Sequence, residues 1–221
     1  ASPGPTLEPL MDIPIGELID GISAQLQKHA EMLTDLDRAI GDGDHGINMG
    51  RGWNAVIAAR AEIEPLPIGA ALEKVGMTLV MSVGGASGPL YGSLFMGLGK
   101  HLGANPDFAG FRDALRAGVA LVQQRGRSTA GEKTMLDVFI PLVDSLETFD
   151  PGRGTKAIED IVTTARCDME STQAMLATKG RASFLGERSV GHIDPGAMSS
   201  YLIIETVCDV IIRQLTRQES S

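Results

Sequence analysis

Apolar residues recur at three- and four-residue steps through most of the chain, and this spacing limits the possible folds more than any other feature. They run from Ile15 to Ala30 in the pattern expected where one face of a helix is buried. The same pattern returns over residues 108–122, 158–176 and 201–215. Alternating strand patterns of useful length are absent. The sequence therefore predicts an all-α protein, a bundle of about seven or eight helices joined by short links.

Two helix starts are marked by local signals. Asp194 followed by Pro195 offers an N-cap and then the proline that is favoured at the first helical position. Thr134 with Asp137 resembles a capping box in which Asp replaces the usual Glu. Helices are therefore predicted to begin close to residues 135 and 195.

The length of 221 residues suits one well-buried domain and is short for two. We expect a flexible, Pro-rich tail or linker over residues 1–12 and one helical domain over residues 13–219. The tail lacks the basic and apolar regions of a signal peptide, and no stretch approaches the ~20 apolar residues of a membrane span. A cytoplasmic location is the expectation. Cys167 and Cys208 are predicted to be buried free thiols.

The negative net charge of the chain restricts the classes of partner that it can bind. The formal net charge is −9, and the 19 Lys and Arg residues are scattered without a basic run. This argues against DNA, RNA or an anionic membrane as the main partner. An acidic protein that binds a polyanion such as ATP needs metal ions or backbone amides at the site.

The strongest local feature is a group of three aspartates around a glycine loop. Asp37 lies near a predicted helix end, and Asp42 and Asp44 lie in the loop that follows. Oxygen ligands favour Mg²⁺, Ca²⁺ or Mn²⁺ over zinc or copper, and the EF-hand spacing is missing. Three aspartates would suit two Mg²⁺ ions bridged by a polyphosphate. The alternative, equally weighted from spacing alone, is that Asp42 and Asp44 form turns or cap helices.

A second glycine loop, residues 84–89, lies between two apolar helical segments. Its backbone N–H groups and the N-terminus of the next helix suit a phosphate, and Ser87 offers a hydroxyl. Neither a Rossmann nor a P-loop spacing occurs, and no strand precedes the loop. An ordinary glycine-rich turn is the alternative.

The remaining polar residues divide into two groups. Arg181, Arg188, His192 and Asp194 crowd one segment, which a surface salt-bridge network would explain. His45, between Asp44 and Gly46, favours a role in a site. No Ser-His-Asp or Cys-His arrangement is apparent, so we expect no covalent nucleophile.

Four segments of the chain combine glycines with polar residues. They are LDRAIGDGDHGINM (36–49), SVGGASGPLYG (82–92), GEKTMLD (131–137) and KGRASFLGERSVGHIDPGA (179–197). Together these segments resemble the L subunit, or L domain, of dihydroxyacetone kinases. They occur in the family's order and spacing over about residues 15–217, and the last is the most distinctive.

The resemblance implies an antiparallel barrel of eight helices with the nucleotide bound by loops at one end. It implies that Asp37, Asp42 and Asp44 hold two Mg²⁺ ions beside ATP or ADP, and that Arg181 stabilises charge on the phosphates. Met135 and the Asp194-Pro195-Gly196 turn would lie near the adenine, with plain core packing as the alternative for Met135. The nucleotide contacts it implies are His45, Gly46, Ile47, Asn48, Ala86, Ser87, Gly126, Met135, Arg181, Asp194, Pro195 and Gly196.

The resemblance also implies a division of labour. A K-type subunit or domain would bind dihydroxyacetone or a similar small ketose through a histidine, and this chain would bring the phosphoryl group to it. One variant keeps ADP as a permanent cofactor that a phosphotransferase-system protein recharges. A second role is a regulatory module whose nucleotide state a transcription factor reads.

Two further alternatives follow from the sequence. The related fatty-acid kinase has a similar loop, Asp-Gly-Asp-Thr-Gly, but this chain has His45 in place of the threonine. Residues 2–9 resemble the linker between K and L domains of single-chain kinases, so a separate subunit and part of a fused kinase are the two alternatives.

Overall fold

The computed structural model describes residues 14–103 and 106–219, and within these ranges the secondary structure is helical, with no strand. The all-α prediction is therefore confirmed for this part of the chain. The predicted tail, residues 1–12, lies outside the described residues.

Ten α-helices form within the described ranges. Three short 3₁₀ segments accompany them, at Pro151–Arg153, Thr172–Ala174 and Arg181–Ser189. The α-helices are α1 (Ile15–Lys28), α2 (Ala30–Ile40), α3 (His45–Ala58), α4 (Arg60–Ile63), α5 (Ile68–Ser82), α6 (Ser87–Leu102), α7 (Phe108–Gly126), α8 (Leu136–Ser145), α9 (Thr155–Ser171) and α10 (Pro195–Glu219).

Eight of these helices close into a ring. Each helix packs against the next in the order α1, α3, α5, α6, α7, α8, α9 and α10, and α10 packs against α1. The ring surrounds an apolar cavity of about 220 Å³ to which each of the eight helices contributes side chains. This arrangement is compatible with the expected eight-helix barrel. One lining residue from each helix, in chain order, is Ile15, Trp53, Ile68, Leu94, Phe108, Phe139, Ile158 and Ile203.

Helix α2 is not one of the eight ring helices and packs against the ring. It packs on α3, on α10 and on the 3₁₀ segment Arg181–Ser189. Ile40 joins Ala177 and Ala182 in a small apolar cluster of its own. This packing holds the end of α2, which carries Asp37, against the polar loops.

Glycines allow α5 and α6 to approach closely. A Cβ on Gly76 would lie 2.7 Å from the Gly92 carbonyl oxygen, and one on Gly92 would lie 2.8 Å from the Gly76 carbonyl oxygen. Real Cβ atoms do not come so near, so both positions need glycine. The close packing fixes the loop between the two helices, residues 83–86.

Both predicted helix starts are found. The Asp194 side chain accepts a hydrogen bond from the Ala197 N–H at 2.7 Å, with Pro195 first in α10. Asp137 accepts from the Thr134 N–H at 2.7 Å, and the Thr134 hydroxyl oxygen accepts from the Leu136 N–H at 3.1 Å. Both side chains thus bond backbone N–H groups at the start of α8, although the N-cap residue of this helix is Met135.

Some sequence predictions need correction. The apolar pattern over residues 158–176 predicted a helix that reaches Leu176. Helix α9 instead ends at Ser171, and Leu176 is exposed. Helix α6 begins at Ser87, inside the segment 84–89 that was predicted to be a loop. Cys208 is buried as predicted, whereas Cys167 is exposed, so that prediction is wrong for Cys167.

Within the described residues, Pro195–Arg217 is the one helical stretch long and apolar enough to span a membrane by composition. In this structure 61% of that window is buried. The stretch packs against α1 and α9 as part of the ring. Its apolar character therefore has an explanation in the fold itself.

Candidate functional site

The three predicted aspartates come together at the end of α2 and the start of α3. One carboxylate oxygen from each of Asp37, Asp42 and Asp44 lies within 4.8 Å of the other two. Asp37 is buried, and its Oδ2 accepts from the Asp44 N–H at 2.8 Å and the His45 N–H at 3.1 Å. A side chain of α2 thus holds the first turn of α3 in place.

The geometry bears on the alternative that these residues are only caps. Asp44 is the N-cap residue of α3, but its side chain makes no capping hydrogen bond. Two unit charges 4.8 Å apart repel by about 3.5 kcal/mol at an effective dielectric of about 20. Oxygen donors this close suit a hard divalent cation such as Mg²⁺, which would offset the repulsion.

Arg181 lies at the rim of this group. Its Nη2 is 3.0 Å from Asp42 Oδ2, and its side chain is 69% exposed. An exposed pair of this kind contributes little to stability, about 0–1 kcal/mol. The contact places the guanidinium beside the carboxylates, at the solvent-exposed edge of the group.

A cleft of about 190 Å³ opens beside the aspartates. One wall is the glycine loop before α6, with Ala86 and Ser87. A second is formed by Thr134 and Met135, and a third by the start of α10. Residues 179–182 also line the cleft, so five segments that are far apart in sequence meet around one space.

His45 connects two of these walls. Its Nδ1 lies 3.1 Å from Ser87 Oγ, and its Nε2 lies 2.9 Å from Ser199 Oγ. Burial lowers the pKa of His45 to about 4, against the opposing charges of Asp37 and Asp44. The imidazole is therefore neutral at pH 7, with one nitrogen that donates and one that accepts.

Tyr91 extends this network to α10. Its hydroxyl donates to the Gly196 carbonyl oxygen at 3.0 Å and lies 2.7 Å from Ser199 Oγ and 2.9 Å from Ser200 Oγ. Burial raises the pKa of Tyr91 well above its usual value, so the phenol stays protonated. The network thereby ties the glycine loop to the turn at residues 194–196.

Asp194 places an ionisable carboxyl behind that turn. The residue is partly exposed, but its carboxyl group lies in the protein interior. Burial raises its pKa to about 7; the Ala197 N–H and Lys133 oppose the shift, whereas the charges of Asp137 and Asp37 add to it. Near neutral pH the group is therefore close to half protonated.

Most of the predicted contacts line the cleft, but four do not. Gly46 is buried against α2, where a Cβ would lie 2.6 Å from the Thr34 hydroxyl oxygen. Ile47 is 57% exposed, and Asn48 is buried beside Gly84. Gly126 ends α7 outside the lining. The predicted residues that do line the cleft are Asp37, Asp42, Asp44, His45, Ala86, Ser87, Met135, Arg181, Asp194, Pro195 and Gly196.

Lys133 and Tyr91 are cleft residues that the sequence reasoning did not single out. Tyr91 follows Ser87 by one helical turn, so its spacing carried a usable signal. Lys133 lies inside segment 131–137, one of the four segments that carry the family resemblance. Its importance depends on contacts with residues 172–192, which sequence spacing does not reveal.

Comparisons with known proteins identify the family of the chain. The model of the DAK2 domain family matches residues 39–209. The ADP-binding subunit DhaL of PEP-dependent dihydroxyacetone kinase 1 from Listeria innocua is 43% identical over 190 residues, covering 86% of this chain and 91% of that protein. The ADP-binding subunit DhaL of the PTS-dependent dihydroxyacetone kinase from Lactococcus lactis is 38% identical over 195 residues, covering 88% and 95%. The chain belongs to the DAK2 domain family, and within it to the DhaL type.

A solved structure supports the fold. The dihydroxyacetone kinase from C. freundii in complex with AMP-PNP and Mg²⁺ superposes with a TM-score of 0.68 at 23% identity. The match covers 87% of this chain and 33% of that one, so this chain corresponds to about a third of that kinase. Both share the helical fold.

Proposed function

We propose that this chain is the nucleotide-binding subunit of a dihydroxyacetone-type kinase. It holds Mg-ADP or Mg-ATP in the cleft and passes a phosphoryl group to dihydroxyacetone or a similar small ketose on a K-type partner. The observation that carries the proposal is the meeting of three aspartates, a glycine loop and the α10 turn around one cleft.

Asp37, Asp42 and Asp44 would hold the magnesium, which we propose to be two ions. When bound, Mg²⁺ supplies charge neutralisation for the phosphates. The fit rests on the donor set, which is three carboxylates within 4.8 Å and no nitrogen or sulfur ligand.

The protein's own groups would position the nucleotide. Ala86 and Ser87 open α6, so their N–H groups lie at the positive end of a helix and are suited to the phosphates. Arg181 would leave Asp42 to contact phosphate oxygens. Neutral His45 fixes the Ser87 hydroxyl without adding charge. Positioning and electrostatics are the main protein contributions to phosphoryl transfer.

The names of the relatives favour one form of this function. The Listeria and Lactococcus proteins, which match along nearly their whole length, are called ADP-binding subunits of PEP- and PTS-dependent kinases. We therefore propose that ADP stays bound here and is recharged by a phosphotransferase-system phosphoprotein. ADP that copurifies with the chain would support this form, whereas fast exchange with free ATP would contradict it.

The remaining partners and the location follow from the same proposal. A cytoplasmic location suits a subunit that meets both a phosphoryl donor protein and a K-type subunit. No direct contact with nucleic acid or membrane is proposed. A transcriptional regulator that reads the nucleotide state stays a prediction of the resemblance.

A mixing assay tests the function. The pure chain, supplied with Mg-ATP or with phosphoenolpyruvate and phosphotransferase-system proteins, is expected to phosphorylate ketoses only after a K-type subunit is added. Asp44→Asn should abolish turnover, because it removes one of the three carboxylates. The matched control is Asp35→Asn, which changes an exposed aspartate two residues before Asp37 on α2. This variant should stay active. Robust ketose phosphorylation by the pure chain would contradict the division of labour.

A further inference from the structure

Lys133 has an unusual setting for a lysine. It is only 1% exposed, and its backbone adopts φ of 62°. This left-handed conformation is unfavourable for a residue with a Cβ, and a buried ammonium is costly unless it is paired. The surroundings must therefore compensate for both.

The compensation comes from three backbone carbonyls. Lys133 Nζ donates to the Thr172 oxygen at 2.6 Å, to the Met175 oxygen at 3.2 Å and to the His192 oxygen. An ammonium has three donors, so all are used. Burial lowers the pKa of Lys133, and the nearby charges of Asp194 and Asp137 oppose that shift. Lys133 has no donor left for a bound nucleotide, so any effect on the nucleotide passes through these segments.

The segments that Lys133 joins are themselves fastened together. The Gly191 N–H donates to the Gln173 carbonyl oxygen at 2.7 Å, and the Ala177 N–H donates to Ser189 Oγ at 3.0 Å. The Asp194 N–H donates to Thr172 Oγ1 at 3.1 Å. Residues 172–177 and 189–194 thus form one unit that leads directly into the α10 turn.

This unit supports one end of the cleft. A Cβ on Gly196 would lie 3.6 Å from both the Cβ and the backbone nitrogen of Met135, so the turn and Met135 nearly touch. Lys133 is two residues before Met135 and bonds to the carbonyl two residues before Asp194. It therefore sets the separation between Met135 and the turn at residues 194–196, the two surfaces that the family resemblance places near the adenine. The aspartate group is held by α2 and α3 through other bonds.

We propose that Lys133 is a positioning residue for the nucleoside end of the bound nucleotide, fixing the spacing between Met135 and the turn at residues 194–196. The inference rests on the proposed function, because it takes an adenine nucleotide as the ligand. It implies a selective defect: loss of Lys133 should weaken binding of ADP more than binding of inorganic tripolyphosphate, which has no nucleoside.

The test compares Mn²⁺-ADP with Mn²⁺-tripolyphosphate by calorimetry. Lys133→Met keeps side-chain length and backbone strain but removes the three donors. Its dissociation constant for ADP should rise about tenfold or more, the size expected for lost hydrogen bonds at a charged group. Its affinity for tripolyphosphate should stay within about twofold of wild type. Lys156→Met, which removes an exposed lysine at the far end of α9, is the control and should leave both affinities unchanged.

A second variant guards against a folding defect. Thr172→Val keeps the shape of a buried side chain but removes the acceptor of the Asp194 N–H. It should shift ADP affinity in the same direction by a smaller factor. Equal losses for both ligands, or no loss for either, would overturn the proposal. If wild type binds tripolyphosphate but not ADP, the proposed function itself fails and the role of Lys133 falls with it.

Discussion

Asp194 gives the protein a pH dependence that one residue controls. Burial raises its pKa from 3.8 to about 7. Between these values the folded protein holds a proton that the unfolded chain has released, so the free energy of unfolding falls as pH rises through this window. The change is at most about 4 kcal/mol, since one pKa unit corresponds to about 1.4 kcal/mol. Above about pH 7 the carboxyl group is ionised in both the folded and the unfolded state, so its contribution to the free energy of unfolding no longer changes with pH.

Asp194→Asn should therefore remove part of the pH dependence. Urea unfolding without divalent cations, at about pH 5 and about pH 7.5, should show that wild type loses more stability on going to the higher pH than the variant does. The lowered pKa of His45 acts in the opposite direction, but it is common to both proteins and cancels from the comparison. Asp35→Asn is the exposed control. Equal slopes in wild type and Asp194→Asn would contradict the raised pKa.

For single residues, the sequence shows which side chains are candidates for a site better than it shows the role of each one. Asp37, Asp42 and Asp44 were found because carboxylates around a glycine loop are conspicuous at short range. The Asp44 side chain makes no cap, which weighs against the capping alternative, and the role as metal ligands stays a prediction. Lys133 was missed because its three partners are 39, 42 and 59 residues away.

At the scale of the element, close packing of α5 on α6 depends on glycine. Gly76→Ala would place a Cβ 2.7 Å from the Gly92 carbonyl oxygen, so the helices would have to separate. Overpacking of this kind typically costs about 1–3 kcal/mol. Gly50→Ala is the matched control, because it lies inside α3 with nothing within 4 Å of the new Cβ.

The control should shift stability the other way. Alanine inside a helix is favoured over glycine by about 0.5–1 kcal/mol, so Gly50→Ala should be slightly stabilising. Urea unfolding curves of the two variants and wild type give both values. A Gly76→Ala protein as stable as wild type would show that α5 and α6 do not require this close approach.

Helix identity was predictable where capping and periodicity agree, as at the start of α10. The helical face through 158–176 was extended too far because Thr172 and Leu176 keep the spacing after the chain has left α9. The glycines of α5 and α6 read from sequence as unfavourable helix residues. Their purpose appears only once the partner helix is in place.

The whole molecule joins a ring of eight helices to a cleft built from loops and helix ends. Trp53, the single tryptophan, is buried inside the ring against Phe95, with ring centroids 5.8 Å apart. It does not line the cleft, so its fluorescence reports on the ring and not on direct contact with a ligand. Asp37 and His45, by contrast, line the cleft. Asp37 lies on α2, which packs on the ring, and His45 lies on α3, which is part of the ring.

Because α3, α6 and α10 supply both ring and cleft, we expect the two to unfold as one unit. Mg-ADP at about 100 times its dissociation constant should then raise the free energy of unfolding by about 2.7 kcal/mol. Trp53 fluorescence and far-UV circular dichroism should show the same urea midpoint and the same shift with ligand. Asp44→Asn should unfold with coincident curves but without the shift. If fluorescence and dichroism midpoints separate, or if only one of them moves with ligand, the ring and the cleft are independent units and the coupling argued from their shared helices is wrong.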